Sequence, residues 1–455
     1  MATVRVIWTI ALLMATLVSV SGCVSQYSRR LADVRRDFYD YGDPELAKKE
    51  ISEWQKRAPE REQSVLRLNG ASLALSTGSF EEAKGELVAV RDEFDALEEA
   101  RLHKSAEDVL QFWADDNLTS YEGEDYEKVM IRATLALADL FDGGEDARAY
   151  AHQIAAKQDE IVMRGQTLRI DERSKNPKLA YPRVPLAPYL EGLIWEETYV
   201  NSGEAARCYE KVTKWRPQFK QGLVDLKRAQ ESVHSQPGHG RLYVFAFVGK
   251  GPSKIQGDAE VTQAALFIAD RIFSATNKYS LPPTIAPVPI PELIVHEPRL
   301  ASIGVDIDGE RLGATETIAD VNEMAIKQYN AVRDQLLARA VVRRVVKKGT
   351  IYLAKEAAQV NDWVSLAMDV GGVIWEATET ADTRCWGLLP AKIQVWSVEL
   401  PVGEHHVSFT PEERNGVSGG VTLSSTITIN ANRNTYALVT YPSGEPVGGV
   451  VVSKR

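Results

Sequence analysis

Apolar positions change their rhythm along the chain. An apolar run from Val6 to Val20 follows a single basic residue, Arg5. From Tyr39 to about Gln236, apolar residues recur at helical spacing, broken by short Gly- or Pro-containing stretches. Past Ser235–Gly240 (SQPGHG) the character changes: Leu242 to Val248 reads as a strand, and strand-like segments recur from there on. The expected fold class is multidomain α+β, with an N-terminal α-helical array, then an α/β region and a small antiparallel β-sandwich-like region. The expected boundaries are a signal segment at 1–22, a tether at 23–38, helices at 39–236, an α/β domain at 237–380 and antiparallel β structure at 381–455.

Within the helical part, Ser64 to Phe94 (SVLRLNGASLALSTGSFEEAKGELVAVRDEF) places the small residues Ala71 and Ala83 on either side of Gly78 and Phe80. That spacing resembles a tetratricopeptide repeat, in which small residues let two antiparallel helices approach and an aromatic side chain fills the gap beside them. Pro188 to Pro217 resembles a second copy through Ala205, Tyr209, Val212 and Pro217, although its turn departs from the consensus. Tyr126 to Ile154 resembles a third, with Ala147 in the small position. The array is therefore read as TPR-like, with a non-repeating helical bundle as the alternative. Asn176 to Pro188 (NPKLAYPRVPLAP) holds four prolines, cannot be helical throughout, and should separate two helical blocks.

Farther along, Pro282 to Pro298 reads as extended. Ile318 to Val346 reads as a long helix with Arg343, Arg344, Lys347 and Lys348 at its C-terminal end, where cations complement the helix dipole. From about Lys392 the pattern predicts a meander of hairpins. Leu400 to Phe409 resembles the L-P-x-G-x-H-x-V signature of PEGA-like surface β modules over that one hairpin and some following strand.

Composition narrows the setting. Val20-Ser21-Gly22-Cys23 puts small residues before a cysteine at the end of the apolar run, which resembles the lipobox of bacterial lipoproteins. The resemblance implies cleavage before Cys23, a lipid on that cysteine and membrane attachment; an ordinary secretory signal is the alternative. Val24 after the cysteine favours, in a Gram-negative host, the outer membrane with the protein facing the periplasm. The best later apolar stretch, Trp363 to Trp375, is too short to span a bilayer and contains Asp369. Lys and Arg total 53 against 63 Asp and Glu, a net charge of −10, and no long basic run stands out, which argues against nucleic-acid binding. Cys208 and Cys385 read as isolated buried thiols rather than a bridge.

The candidate chemistry centres on Gly249, Lys250, Gly251, Ser253 and Lys254, which follow the strand Leu242–Val248. A P-loop needs its lysine and hydroxyl after the second glycine; here the order is wrong and Pro252 removes an N–H donor. A looser anion-binding turn and a structural strand-to-helix turn remain. His405 and His406 should point to opposite faces of a strand, and His234 and His239 flank a flexible linker, so no metal site is expected. Glu122, Glu124, Asp125 and Glu127 lack the order of a calcium loop and suit a helix N-terminus. No nucleophile elbow appears, Cys208 has no evident histidine partner, and no cofactor is expected. Trp375, Trp386 and Trp396 read as core, with glycan-binding aromatics as the alternative.

Several stretches together resemble uncharacterised bacterial lipoproteins with tetratricopeptide-like helices: Tyr121–Val129 (YEGEDYEKV), Ala187–Gly192 (APYLEG), Gly249–Lys254 (GKGPSK), and Ala381–Trp386 (ADTRCW) with Leu388-Leu389-Pro390. The resemblance implies an envelope location and carries no catalytic residues to transfer. The expectation is a non-enzymatic scaffold whose helices present a concave groove to an envelope protein. The alternative is an envelope protein that binds cell-wall polymer or a small anionic ligand through its C-terminal domains.

Overall fold

Tyr27, Leu31, Val34 and Phe38 recur at helical spacing and are all buried along helix α1 (Gly22–Tyr39). The stretch 23–38, expected as a tether, is thus helical and packed from Tyr27 onward, while Arg29, Arg30 and Arg36 are exposed. The computed structural model describes residues 22–101, 120–165, 177–198, 202–276, 279–282, 285–358 and 381–454. The predicted signal segment through Ser21, the stretch Trp363–Trp375 and the Cys23 side chain lie outside the described residues.

Asp43 opens α2 (Pro44–Gln55), its carboxylate accepting from the Leu46 N–H at 2.9 Å. Helices α3 (Glu60–Ser76) and α4 (Phe80–Arg101) pack as a hairpin around Gly78, whose φ of +75° favours glycine. The small residues Ala71 and Ala83 are fully buried, and Phe80 meets Phe141 with ring centroids 5.7 Å apart. A second hairpin joins α5 (Asp125–Asp142) and α6 (Ala147–Arg164), and α5 is buried on every side from Tyr126 to Phe141. After a short 3-10 turn at Pro177–Ala180 come α7 (Leu186–Glu197), α8 (Ser202–Trp215) and α9 (Lys220–Gln230). Gly192 lets α7 and α8 approach: a Cβ there would stand 2.8 Å from the Tyr209 ring.

The remaining chain builds strands β1 (His239–Lys250), β2 (Ser253–Ala259), β3 (Val288–Ile294), β4 (Leu300–Ile307), β5 (Glu310–Ala314), β6 (Glu316–Asp320), β7 (Pro390–Pro401), β8 (Gly403–Glu413), β9 (Leu423–Ile429), β10 (Asn434–Tyr441) and β11 (Val451–Val452). Helices α10 (Gln263–Thr276) and α11 (Val321–Ala358) pack against the antiparallel ribbon β2–β3 around a small core of their own. A five-stranded sheet has the order β11-β10-β1-β7-β6, and a four-stranded one the order β5-β4-β8-β9. The four-stranded sheet is antiparallel throughout, whereas β1 and β10 are parallel neighbours. The fold is α+β, with N-terminal helices followed by sheets, and both sheets combine strands from before and after residue 380.

Two local expectations are corrected. The meander from Lys392 is not a run of hairpins, because β7 belongs to the five-stranded sheet and β8 to the four-stranded one. At Pro401–Gly403 the chain crosses between them: Pro401 has no N–H to pair, and Gly403 takes a φ of +139°. His405 pins this corner, its ring nitrogens 2.9 Å from the Pro401 carbonyl and 2.7 Å from the Asp308 carboxylate. The long helix is also displaced: Ile318 lies in β6, and α11 continues past Val346 to Ala358. Arg343 and Arg344 are therefore mid-helix and buried, and Arg344 donates to the Ala286 and Pro287 carbonyls at 3.0 Å, so the macrodipole explanation does not hold.

The layers stack as helices, five-stranded sheet, four-stranded sheet. Phe141, Tyr189, Phe245 and Tyr436 share one core between the helices and the first sheet. Val244, Ile303, Val407 and Val439 share another between the two sheets.

Candidate functional site

The turn Gly249–Lys254 leads from β1 into another strand, β2, not into a helix. Its glycines serve close packing. A Cβ on Gly249 would lie 2.4 Å from Pro298 Cγ, and one on Gly251 2.1 Å from the Leu389 carbonyl oxygen. The Gly251 N–H donates to that carbonyl at 2.9 Å, and the Gly251 carbonyl accepts from Arg35 at 3.3 Å. Lys250 is paired with Asp40, and Ser253 opens β2. Lys254 is buried and paired with Glu124. The two ammonium groups are thus neutralised by carboxylates and Gly251 donates within the fold, which leaves the anion-binding reading without geometric support.

What this turn braces is Ala381–Pro390, a segment that has no helix or strand until β7 begins at Pro390 and that is buried apart from Asp382. Buried backbone without a helix or sheet ladder must find other hydrogen-bond partners, and here helix side chains supply them. The Tyr39 hydroxyl donates to the Leu389 carbonyl at 2.7 Å and lies 3.1 Å from that of Gly387, which Arg35 also reaches. Asn69 on α3 accepts from the Leu388 N–H at 3.0 Å, and Glu127 on α5 accepts from the Trp386 N–H at 2.7 Å. The Trp386 indole is fully buried and donates to Ser72 at 2.8 Å. The helices hold this segment as a groove holds a peptide, but the peptide is their own chain.

The charges around it are buried and matched. Burial pushes the Glu127 carboxyl above the ordinary carboxylate range, against the pull of Lys254. Glu127 accepts from the Glu124 N–H at 2.9 Å, so the acidic run at 122–127 caps α5 at its N-terminus. Burial works against the charged form of Lys254, but Glu124, Glu127 and Asp382 outweigh it and raise its pKa. Burial, reinforced by Glu127, pushes the Cys385 thiol up to about 11, and burial with Glu191 pushes Cys208 up to about 12. Both thiols are unbridged and protonated at neutral pH, which makes them poor nucleophiles.

The other candidates fall into structural places. His234 is buried, 2.8 Å from Asn434 Oδ1, and burial lowers its pKa; the linker expected to be flexible is fixed there. His406 is exposed on the strand that carries His405. Trp396 packs at the edge of the inter-sheet core, and Trp375 lies outside the described residues. Among the described residues no group of three or more His, Cys, Asp or Glu is placed to hold a metal. A shallow cleft opens between α5, α6, the 3-10 turn and α11, with Val129, Ile161, Tyr181 and Met324 in its walls. Its polar groups already have partners: Asp125 binds Lys178, and Gln158 donates to the Pro182 carbonyl at 2.9 Å.

Arg35, Tyr39 and Asn69 were not read from the sequence as site residues. Asn69 carried a signal, since an asparagine inside an apolar helix is disfavoured unless its amide has work to do. Cys23 stands at the start of α1, at the end of the helical layer where Tyr27 meets Trp54. No protein-family model, curated protein or solved structure matches the chain.

Proposed function

We propose that this chain is a lipid-anchored protein of the bacterial cell envelope, attached through Cys23 to the outer membrane and facing the periplasm, that acts without catalysis as a scaffold for another envelope protein. Its hairpins α3–α4, α5–α6 and α7–α8 are read as TPR-like repeats. The observation that carries this reading is the contrast between the two sides of the helical layer. The sides of α3, α5 and α7 that meet the rest of the molecule are filled by the central sheet and by Ala381–Pro390. A rigid backing of this kind leaves α4, α6 and α8 as the surface for a partner, in place of the open concave groove expected from the hairpin pattern. Exposed side chains there include Asp92 on α4, His152 on α6 and Arg207 on α8, at 61%, 80% and 72% exposure.

The test is affinity capture from envelope extracts with residues 24–455. A specific partner should be retained by the native chain and lost by Asp92→Arg, His152→Glu and Arg207→Glu combined, with unfolding unchanged. Capture that survives the triple substitution would remove the helical outer surface as the binding site, and saturable glycan binding with no protein partner would replace the scaffold reading.

A further inference from the structure

The end of the helical layer that carries Cys23 differs in charge from the rest of the molecule. Helices α1 and α2 are joined by a short turn, so the start of α1 lies beside the end of α2: the Tyr27 and Trp54 rings are 5.0 Å apart, and the Arg30 guanidinium stands 5.8 Å from the Trp54 ring. Arg29, Arg30, Lys56 and Arg57 are therefore grouped there, and all four are exposed. The exposed acids near them are Glu53 and Glu60, while Asp33 is bound to Arg36 at 3.0 Å. Half-buried Arg61 and Glu62 balance each other. This end thus carries an excess of positive charge in a chain whose net charge is −10.

We propose that Arg29, Arg30, Lys56 and Arg57 form a membrane-facing surface that binds the anionic phospholipid headgroups of the leaflet holding the Cys23 lipid. A helix rises about 1.5 Å per residue, so Arg29 stands about 9 Å along α1 from Cys23. That is within about one Debye length of the headgroups at physiological salt, so the attraction is not screened away. The anchor brings this end to the membrane, and the cations then fix its orientation, with the sheets directed away. Tyr39, at the far end of α1, meets Leu389 next to the central sheet, so the helix itself sets that distance. A second contact matters for an acylated protein because orientation, beyond attachment, decides which surface a partner meets.

The inference rests on the lipid-anchored reading for its geometry, and its test does not need the lipid. The unlipidated 24–455 chain should co-sediment with vesicles containing about 40% phosphatidylglycerol at low salt, should ignore pure phosphatidylcholine, and should be released as salt rises. Arg29→Gln, Arg30→Gln, Lys56→Gln and Arg57→Gln together should weaken this binding about tenfold or more, whereas the charge-keeping set Arg29→Lys, Arg30→Lys, Lys56→Arg and Arg57→Lys should preserve it. Lys220→Gln with Lys227→Gln, on exposed positions of α9, should leave it unchanged. Equal binding to both vesicle types, no binding to either, or equal losses from the α9 and α1–α2 variants would overturn the proposal. The partner capture described above uses α4, α6 and α8, so its failure is read separately from the vesicle result.

Discussion

On the face of the central sheet that meets the helices, β1 presents Tyr243, Phe245 and Phe247; on the opposite face the same strand presents Leu242, Val244, Ala246 and Val248. The alternation continues through β10, with Tyr436 and Leu438 against Ala437 and Val439. The aliphatic face closes on the four-stranded sheet through generic apolar contact. The aromatic face closes on the helices around buried charge. Arg228 on α9 holds Asp225 at 2.6 Å and Glu196 at 2.7 Å, while the Tyr189 and Tyr209 hydroxyls donate to these carboxylates at 2.9 Å. Ser397 on β7 joins through Gln221, also at 2.9 Å. Aliphatic packing tolerates modest changes of shape, whereas buried ions tolerate only the partners that match them. The helix–sheet joint is therefore where a single arrangement of the layers is specified.

The largest effect should come from breaking that joint. Arg228→Ala leaves Glu196 and Asp225 buried without their cation, a loss of about 3–5 kcal/mol, whereas Ile303→Val on the aliphatic side should cost about 1 kcal/mol. Urea unfolding of the two variants checks this, and equal midpoints would erase the distinction between the faces. A smaller effect should follow from acid. On the helical side Glu98 is bound by Lys128 at 2.6 Å and by Arg164 at 2.9 Å, and also by Lys157. Burial works to raise this carboxyl, but Lys128 and Lys157 outweigh it and bring it from 4.5 down to about 2. A depressed folded value stabilises the protein above the unfolded pKa, so this contribution, on the order of 3 kcal/mol, is complete above about pH 4.5 and is lost as pH falls toward about 2. Glu98→Gln should flatten that part of the stability profile. Hydrogen exchange should show α4–α6 loosening in acid before the strands of the sandwich do.

The hairpin α3–α4 was legible because Ala71, Gly78, Phe80 and Ala83 each act locally: two close approaches, a left-handed turn and a filler. Strand β1 was legible for the same reason, and its unbroken apolar run already fits a strand covered on both faces. Pairing was not legible. β1 lies parallel to β10, nearly the whole β region away in sequence, and alternation shows which side chains share a face without naming the neighbouring strand. The crossing at Pro401–Gly403 was misread for a related reason, since Pro and Gly between two strand patterns suit a hairpin and a change of sheet alike. For Ala381–Pro390 the signal was weaker still, because its partners Tyr39, Asn69 and Glu127 come from separate helices. Trp386, too large and apolar to leave in water, and Cys385, in an apolar and aromatic pattern, were readable in advance as buried.

The smallest effect should come from a charge that looks equivalent on paper. Lys250 and Lys254 belong to the same turn, and each is paired with one carboxylate, Asp40 and Glu124 respectively. Lys250 keeps 31% of its side chain exposed and Lys254 keeps 9%. An exposed pair gains little, because water solvates both ions when they separate, so Lys250→Ala should shift stability by less than about 1 kcal/mol. Lys254→Ala would instead strand Glu124 beside Glu127 in a buried site and belongs with Arg228→Ala. Thermal unfolding of the two alanine variants, side by side, decides whether burial or charge itself governs this molecule. Equal losses would mean that the turn acts as one electrostatic unit, and the contrast between the two faces of the sheet would then need another cause.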